Sequence, residues 1–162
     1  MTSYFARSAS FQGIANLPKL SQTKGIKGRE AGQPILGQAL SLKDPTMSRI
    51  IRTDPTPILA RAVEYHGFVY TSGVLAHDLG KDIKGQTAEI LAEIDAILER
   101  HGTDKTRLLQ AQIWLKHISD RAAMNELWSA WLPKDGAPVR ACVEAALADP
   151  RALVEIMVVA CK

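Results

Sequence analysis

Nowhere in the 162 residues does an apolar run approach the roughly 20 residues that a bilayer-spanning helix requires. Cysteine is scarce. Cys142 and Cys161 are the only two, too few for a disulfide framework, and both fall in predicted strands. They read as buried, reduced thiols, and the compartment as reducing and cytoplasmic. There is no phosphate-binding glycine loop and no Cys/His set with zinc spacing. The histidines, at positions 66, 77, 101 and 117, are scattered through turns and element ends. Any chemistry is therefore expected to run without a metal or a nucleotide cofactor. The first 46 residues lack an apolar h-region, which argues against a secretory signal.

What is present is ordinary globular composition, 46% hydrophobic and 23% charged, enough for one domain with a real core. The net charge of +3 is unevenly placed. Residues 1–46 hold six basic and two acidic residues, a contribution of +4. Residues 47–162 then hold 14 basic and 15 acidic residues and carry −1. The basic balance belongs to the leader, which weakens the case for a nucleic-acid surface on the domain. The leader is rich in Gly, Ser, Gln and Lys and shows no persistent apolar face. It is expected to be disordered. Its origin stays open between translated sequence upstream of a start at Met47, an organellar leader and a regulatory tail.

Beyond it, Ser48–Arg52 is a short strand candidate ended by Asp54-Pro55-Thr56-Pro57. Arg61–Tyr65 and Phe68–Ser72 flank His66-Gly67 as a hairpin. Gly73 closes the second strand and permits close backbone approach. His77 reads as a solvated loop residue. From Ile83 to His101, Ile90, Leu91, Ile94, Ile97 and Leu98 form the stripe of an amphipathic helix capped by Gly102. Glu89, Glu93 and Glu99 sit off the stripe as a solvated face. Leu108–Leu115 is a strand. Ser119 is placed to cap a second helix running to about Leu132, with Ala123, Leu127, Trp128 and Trp131 on its apolar side. The tryptophans read as core or interface packing. The order β-ββ-α-β-α-β-β predicts an α+β fold, a mixed sheet with both helices on one face.

The last two strands, Pro138–Glu144 and Leu153–Val159, carry the most distinctive residues. Alternation puts Arg140, Cys142 and Glu144 on one face of the first, and Glu155 among Leu153, Met157 and Val159 on one face of the second. A lone carboxylate in so apolar a run needs a partner. If the two strands are neighbours, Arg140 supplies it, either as a structural ion pair or as part of a site.

The segment Pro138-Val139-Arg140-Ala141-Cys142-Val143-Glu144, followed by Val154-Glu155-Ile156, resembles the C-terminal signature of the RidA/YjgF family of enamine/imine deaminases. The resemblance extends through Tyr70-Thr71-Ser72-Gly73, the helix ending at Gly102 and Met124-Asn125-Glu126-Leu127-Trp128, and covers about residues 47–162. The short Trp-containing second helix is most similar to the YoaB-like branch. The resemblance favours Met47 as the natural start. It implies a homotrimer with sites at the subunit interfaces, which would also cover the sheet face that the helices leave bare. It implies hydrolysis of 2-imino acids, such as 2-iminobutanoate and 2-iminopropanoate, to 2-oxo acids and ammonia. Arg140 would bind the substrate carboxylate through its planar fork, and Glu155 would activate water. Cys142 would line the cleft through its backbone, with Ser72 and Asn125 beside it. Leu59 stands where many members carry a ligand-contacting tyrosine, so substrate preference is expected to differ. Competing readings are a non-catalytic trimeric sensor of 2-oxo acids and an RNA-acting translation inhibitor. The negative domain and the lack of an aromatic–basic patch speak against the last.

Overall fold

The computed structural model describes residues 49–162. The leader expected to be disordered, residues 1–46, lies outside the described residues. The elements are β1 (Ile51–Thr53), β2 (Ala62–Tyr65), β3 (Phe68–Thr71), α1 (Ile83–Arg100), β4 (Leu108–Leu115), α2 (Arg121–Trp131), β5 (Val139–Glu144) and β6 (Val154–Cys161). This is the order read from the sequence. The strands form one six-stranded sheet, ordered β1-β2-β3-β6-β4-β5. Only β4 and β5 run parallel; every other neighbouring pair is antiparallel.

The core follows from two periodicities. Along β6, Val154, Ile156, Val158 and Ala160 are buried, while Glu155, Met157, Val159 and Cys161 on the other face are half-exposed. The buried set packs beneath α1, whose Ile90, Leu91, Ile94, Ile97 and Leu98 form the predicted stripe. Helix α2 adds Met124 and Trp128 to the same side. Both helices therefore cover one face of the sheet, as expected for the α+β class. The other face is open, and Phe68, Tyr70 and Val143 are exposed on it.

Local signals explain the ends of these elements. The hairpin turn has both His66 (φ 50°) and Gly67 (φ 77°) in the left-handed region, the geometry that matches strand twist. Asp82 caps α1, its carboxylate accepting from the Gly85 N–H at 2.8 Å. At the other end, Gly102 (φ 68°) lets its own N–H reach the Glu99 carbonyl and the Thr103 N–H reach the Leu98 carbonyl. Buried Gln86 ties two loops to α1. Its side-chain amide donates to the Lys81 and Arg151 carbonyls, and its carbonyl accepts from the Leu153 N–H at 2.9 Å. That anchor fixes where β6 begins.

Four expectations need correction. Strands β5 and β6 are not neighbours, because β4 lies between them. Ser119 does not cap α2; it sits in a 3-10 turn, Ile118–Asp120, that leads into the helix with no side-chain cap. Glu144 takes part of that work by accepting the Ile118 N–H at 2.7 Å. Glu89 and Glu93 are not simply solvated. Glu89 pairs with Lys81, and Glu93 accepts from Arg61 at 2.7 Å, so both pin neighbouring segments to α1. Cys142 and Cys161 are free but half-buried, the first on an edge strand and the second on the open face.

The Arg61 guanidinium, hydrogen-bonded to Glu93, holds its carboxyl below the ordinary value of 4.5, against the opposing cost of burial. A depressed folded-state pKa means that the stabilisation is present above the unfolded value and is lost as pH falls through the folded one. Melting temperature should therefore drop on acidification below about 4.5. Glu93→Gln should melt lower than wild type at pH 7 and lose less on acidification. Parallel melting curves from pH 7 to pH 3 check both, and equal acid slopes would contradict the assignment.

Candidate functional site

Arg140 is the second residue of β5 and lies opposite Ala111 of β4. Ala111 is buried under the helices, so Arg140 shares the helix-covered face, at the edge of the sheet. Its Nη1 donates to Asn125 Oδ1 at 2.9 Å. Its guanidinium carbon stands 5.4 Å from the centre of the Trp128 ring. Asn125 and Trp128 are three residues apart on α2, which brings them to one helix face. The fork is therefore held at one corner by an amide and on one face by an indole. Arg61, Arg100 and Arg151 each have a carboxylate partner; Arg140, like the exposed Arg49, Arg52, Arg107 and Arg121, has none among the described residues, and of these it alone is half-buried. A half-buried arginine, oriented and unneutralised, is suited to a planar anion. Cys142, two residues on, shares its face and packs against the core.

Glu155 is elsewhere. It is the second residue of β6 and lies opposite Trp114 of β4, between the buried levels of Ile113 and Leu115. It therefore projects from the open face. Arg140 and Glu155 are separated by β4, by three residues along it and by the sheet itself. Two strand spacings and three residue rises put their Cα atoms roughly 14 Å apart. The ion pair considered from the sequence does not form within one chain.

Around Glu155 the backbone comes close. Val74 pairs with Ile156, the Val74 N–H donating at 2.8 Å and the Ile156 N–H returning a bond at 3.1 Å. Gly73 then lies against the Glu155 side chain, and a Cβ added there would stand 2.8 Å from the carboxyl carbon. Gly73 is needed for this approach and not for a special φ, which matches the expectation of close approach at this glycine. Ser72, half-buried, donates its N–H to the Arg61 carbonyl at 2.9 Å, and its hydroxyl points to the Gly73 carbonyl at 3.3 Å. Among the described residues the Glu155 carboxylate has no hydrogen-bond or ion-pair partner. Leu59 sits in the loop before β2, half its surface exposed, its N–H and carbonyl both tied to the Thr56 side chain.

The sequence-predicted residues thus fall into two groups. Asn125, Arg140 and Cys142 gather on the helix side of the sheet edge. Ser72 and Glu155 gather on the open face with Gly73. Trp128 was read as packing alone, and its place under Arg140 was missed. The signal was its spacing from Asn125. A cavity of about 350 Å³ adjoins the first group.

Together these features define an α+β protein with a helix-backed sheet, an oriented arginine on one surface and an unpartnered carboxylate on another. The chain matches the Endoribonuclease L-PSP family over residues 52–162. It is 41% identical to the RutC family protein YoaB of Escherichia coli K12 over 111 residues, 68% of this chain and 96% of that protein. A RutC family protein of Haemophilus ducreyi is 39% identical over 111 residues, again 68% of this chain and 95% of the relative. A crystal structure of a YjgF protein family member from Neisseria meningitidis superposes with a TM-score of 0.69 at 40% identity, covering 72% of this chain and 97% of that one. The chain belongs to the RidA/YjgF/L-PSP (RutC) family, which includes enamine/imine deaminases.

The close approach at Gly73 yields a test independent of function. Gly73→Ala should destabilise the fold, because Glu155 must swing away. Adding Glu155→Ala should recover most of the loss. Chemical denaturation of both single variants and the double variant should show a coupling of about 0.5–3 kcal/mol. Strictly additive effects would mean that the two positions do not meet.

Proposed function

We propose that the domain hydrolyses reactive 2-imino acids and their enamine tautomers to 2-oxo acids and ammonia. The observation that supports this most directly is Arg140, an oriented guanidinium with no carboxylate of its own among the described residues. A 2-imino acid offers it a planar carboxylate, bound by two parallel hydrogen bonds. The imine carbon adjoins that carboxylate. Glu155, from a neighbouring copy, holds a water against it and accepts its proton as the oxygen attacks. Glu155 returns that proton to the nitrogen, giving the carbinolamine; it then carries the hydroxyl proton to the same nitrogen, the carbon–nitrogen bond breaks, and ammonia leaves as the carbonyl forms. Asn125 steadies the arginine. Ser72 and the backbone at Cys142 line the cleft.

The division of these residues requires more than one chain. One copy contributes Asn125, Arg140 and Cys142, and its neighbour contributes Ser72 and Glu155. Two different surfaces that meet head to tail generate a ring, and the family resemblance favours a homotrimer. The open sheet face supplies apolar area for the contact, Trp114 included. Trp128 and Trp131 pack against the core on the helix side. The natural domain on this reading is about residues 47–162, acting in the cytoplasm on a small molecule. The family's name, Endoribonuclease L-PSP, suggests RNA, but the charge of −1 over residues 47–162 gives a phosphate backbone little attraction.

Two measurements test this. Glu155→Gln should lower turnover of a freshly generated imine, followed as ammonia release, by roughly 10²–10⁴-fold while 2-oxo acid binding survives. Wild-type turnover in this variant would remove Glu155 from the chemistry, and 2-oxo acid binding by a wild type that releases no ammonia would favour the sensor. Second, Arg140→Ala and Glu155→Gln subunits, each inactive, should regain activity when unfolded and reassembled together. Random mixing restores both residues at roughly a quarter of the interfaces of a head-to-tail ring. No recovery would place the whole site in one chain.

A further inference from the structure

Asn125 holds the Arg140 fork at one corner, and the Trp128 ring supports one of its faces. Trp128 is held in turn by Trp131, which follows it by three residues and so shares its side of α2. The two ring centres are 5.4 Å apart with planes inclined at 48°, inside the range of about 4.5–7 Å at which aromatic pairs attract. Trp131 is fastened from outside its own helix. Its Nε1–H donates to Asp95 Oδ2 on α1 at 2.9 Å. The same oxygen accepts from Lys105 Nζ at 3.1 Å, and that ammonium lies 5.2 Å from the centre of the Trp131 ring. Both cations are within the roughly 6 Å at which a ring face attracts positive charge. Lys105, Trp131, Trp128 and Arg140 therefore form a row, two indoles with a cation at each end. Asp95 pins the far end of the row and Asn125 the near end. Trp131 is only half-buried, so its N–H has no need of a charged acceptor, yet it is given one shared with Lys105.

We propose that Asp95 and Trp131 are positioning residues for Arg140 and that they act on it through Trp128. This rests on the imine-hydrolysis reading for what Arg140 binds, and adds what keeps the arginine ready. A freely rotating arginine must be ordered each time a ligand arrives, which weakens binding; one ordered beforehand avoids that loss. Asp95 and Trp131 touch no ligand. They fix the indole on which the guanidinium rests, and the fixed point lies on α1, the helix that covers the centre of the sheet. The carboxylate contact is made alike by bound substrate and by the transition state. Loosening Arg140 therefore acts on KM and leaves kcat nearly as it was, whereas loss of the Glu155 carboxylate acts on kcat.

Asp95 keeps 40% of its side-chain surface exposed, so Asp95→Ala should leave the core intact. In the full-length assembly it should weaken pyruvate, titrated by calorimetry, about two- to tenfold, the worth of ordering one long side chain. KM for freshly generated 2-iminopropanoate should rise by a similar factor, with kcat little changed. Asp95→Asn still offers an oxygen to the indole N–H and should keep most of the affinity. Trp131→Phe keeps a ring but loses that N–H; it should match Asp95→Ala, and the double variant should be no weaker than either. Lys84→Ala breaks the Lys84–Glu126 pair, which also joins α1 to α2, and should leave pyruvate affinity unchanged. A measurement that needs no ligand is the NMR order parameter of the Arg140 Nε–H bond, which should be lower in Asp95→Ala than in the wild type. Unchanged affinity or an unchanged order parameter in Asp95→Ala would overturn the proposal and leave the hydrolysis reading standing. So would an equal loss in Lys84→Ala, which would assign the effect to helix docking in general, or a loss confined to kcat. If the wild type neither binds 2-oxo acids nor releases ammonia, the hydrolysis reading fails, and the order parameter alone decides whether Asp95 holds Arg140.

Discussion

Strict alternation along β6 is the constraint on which this domain depends. Four residues of that strand, Val154, Ile156, Val158 and Ala160, are fully buried, and no other strand is flanked by β3 on one side and β4 on the other. With every second residue committed to the core under α1, the intervening ones must face away. Glu155 is therefore sent to the open face by its neighbours' burial, not by any partner of its own. A one-residue slip of β6 would bury the carboxylate and expose the core set, which costs far more than any surface interaction could return. Gln86 guards against the slip by bonding the Leu153 N–H where the strand begins.

The same logic, applied to β5, sends Arg140 the other way. The register with β4 puts it level with buried Ala111, and the helix side supplies Asn125 and Trp128. One sheet thus displays a cationic group and an anionic group on opposite surfaces, with the hydrophobic core and β4 as insulation. Kept apart, neither neutralises the other, and each keeps its charge available. An arginine and a glutamate paired within the chain would have cancelled, with no capacity left for a ligand.

Much of this could be read from the chain alone. The stripe Ile90, Leu91, Ile94, Ile97 and Leu98 fixed α1, and His66-Gly67 fixed the hairpin, because both signals are local and periodic. The face of Arg140 relative to Cys142 and Glu144 was also legible, since alternation within a strand needs no tertiary information. What could not be read was the order of strands in the sheet. Consecutive strands β5 and β6 invite pairing, and the parallel insertion of β4 between them is decided by how α2 crosses over, a long-range property. The pairing of Glu93 with Arg61 was hidden for the same reason, as was the place of Trp128 beneath Arg140. Ser119 was misread because a hydroxyl near a helix start is common, while the competing bond from Glu144 to the Ile118 N–H comes from a distant strand.

Strand β4 acquires a further meaning from its position. Ala111 stands beside Arg140 and Trp114 beside Glu155, so the two charged residues are indexed to one stretch of extended backbone. Paired with β5 on one side and β6 on the other, β4 is held in register, and three residues of it rise about 10 Å. The strand is a ruler, and its zero mark is the irregularity between Leu108 and Gln110, where the register against β6 shifts by a residue. The offset between Arg140 and Glu155 is thus graduated in whole residues. Side chains around Arg140 and Glu155 can drift gradually, but the spacing of the two charges can change only in steps.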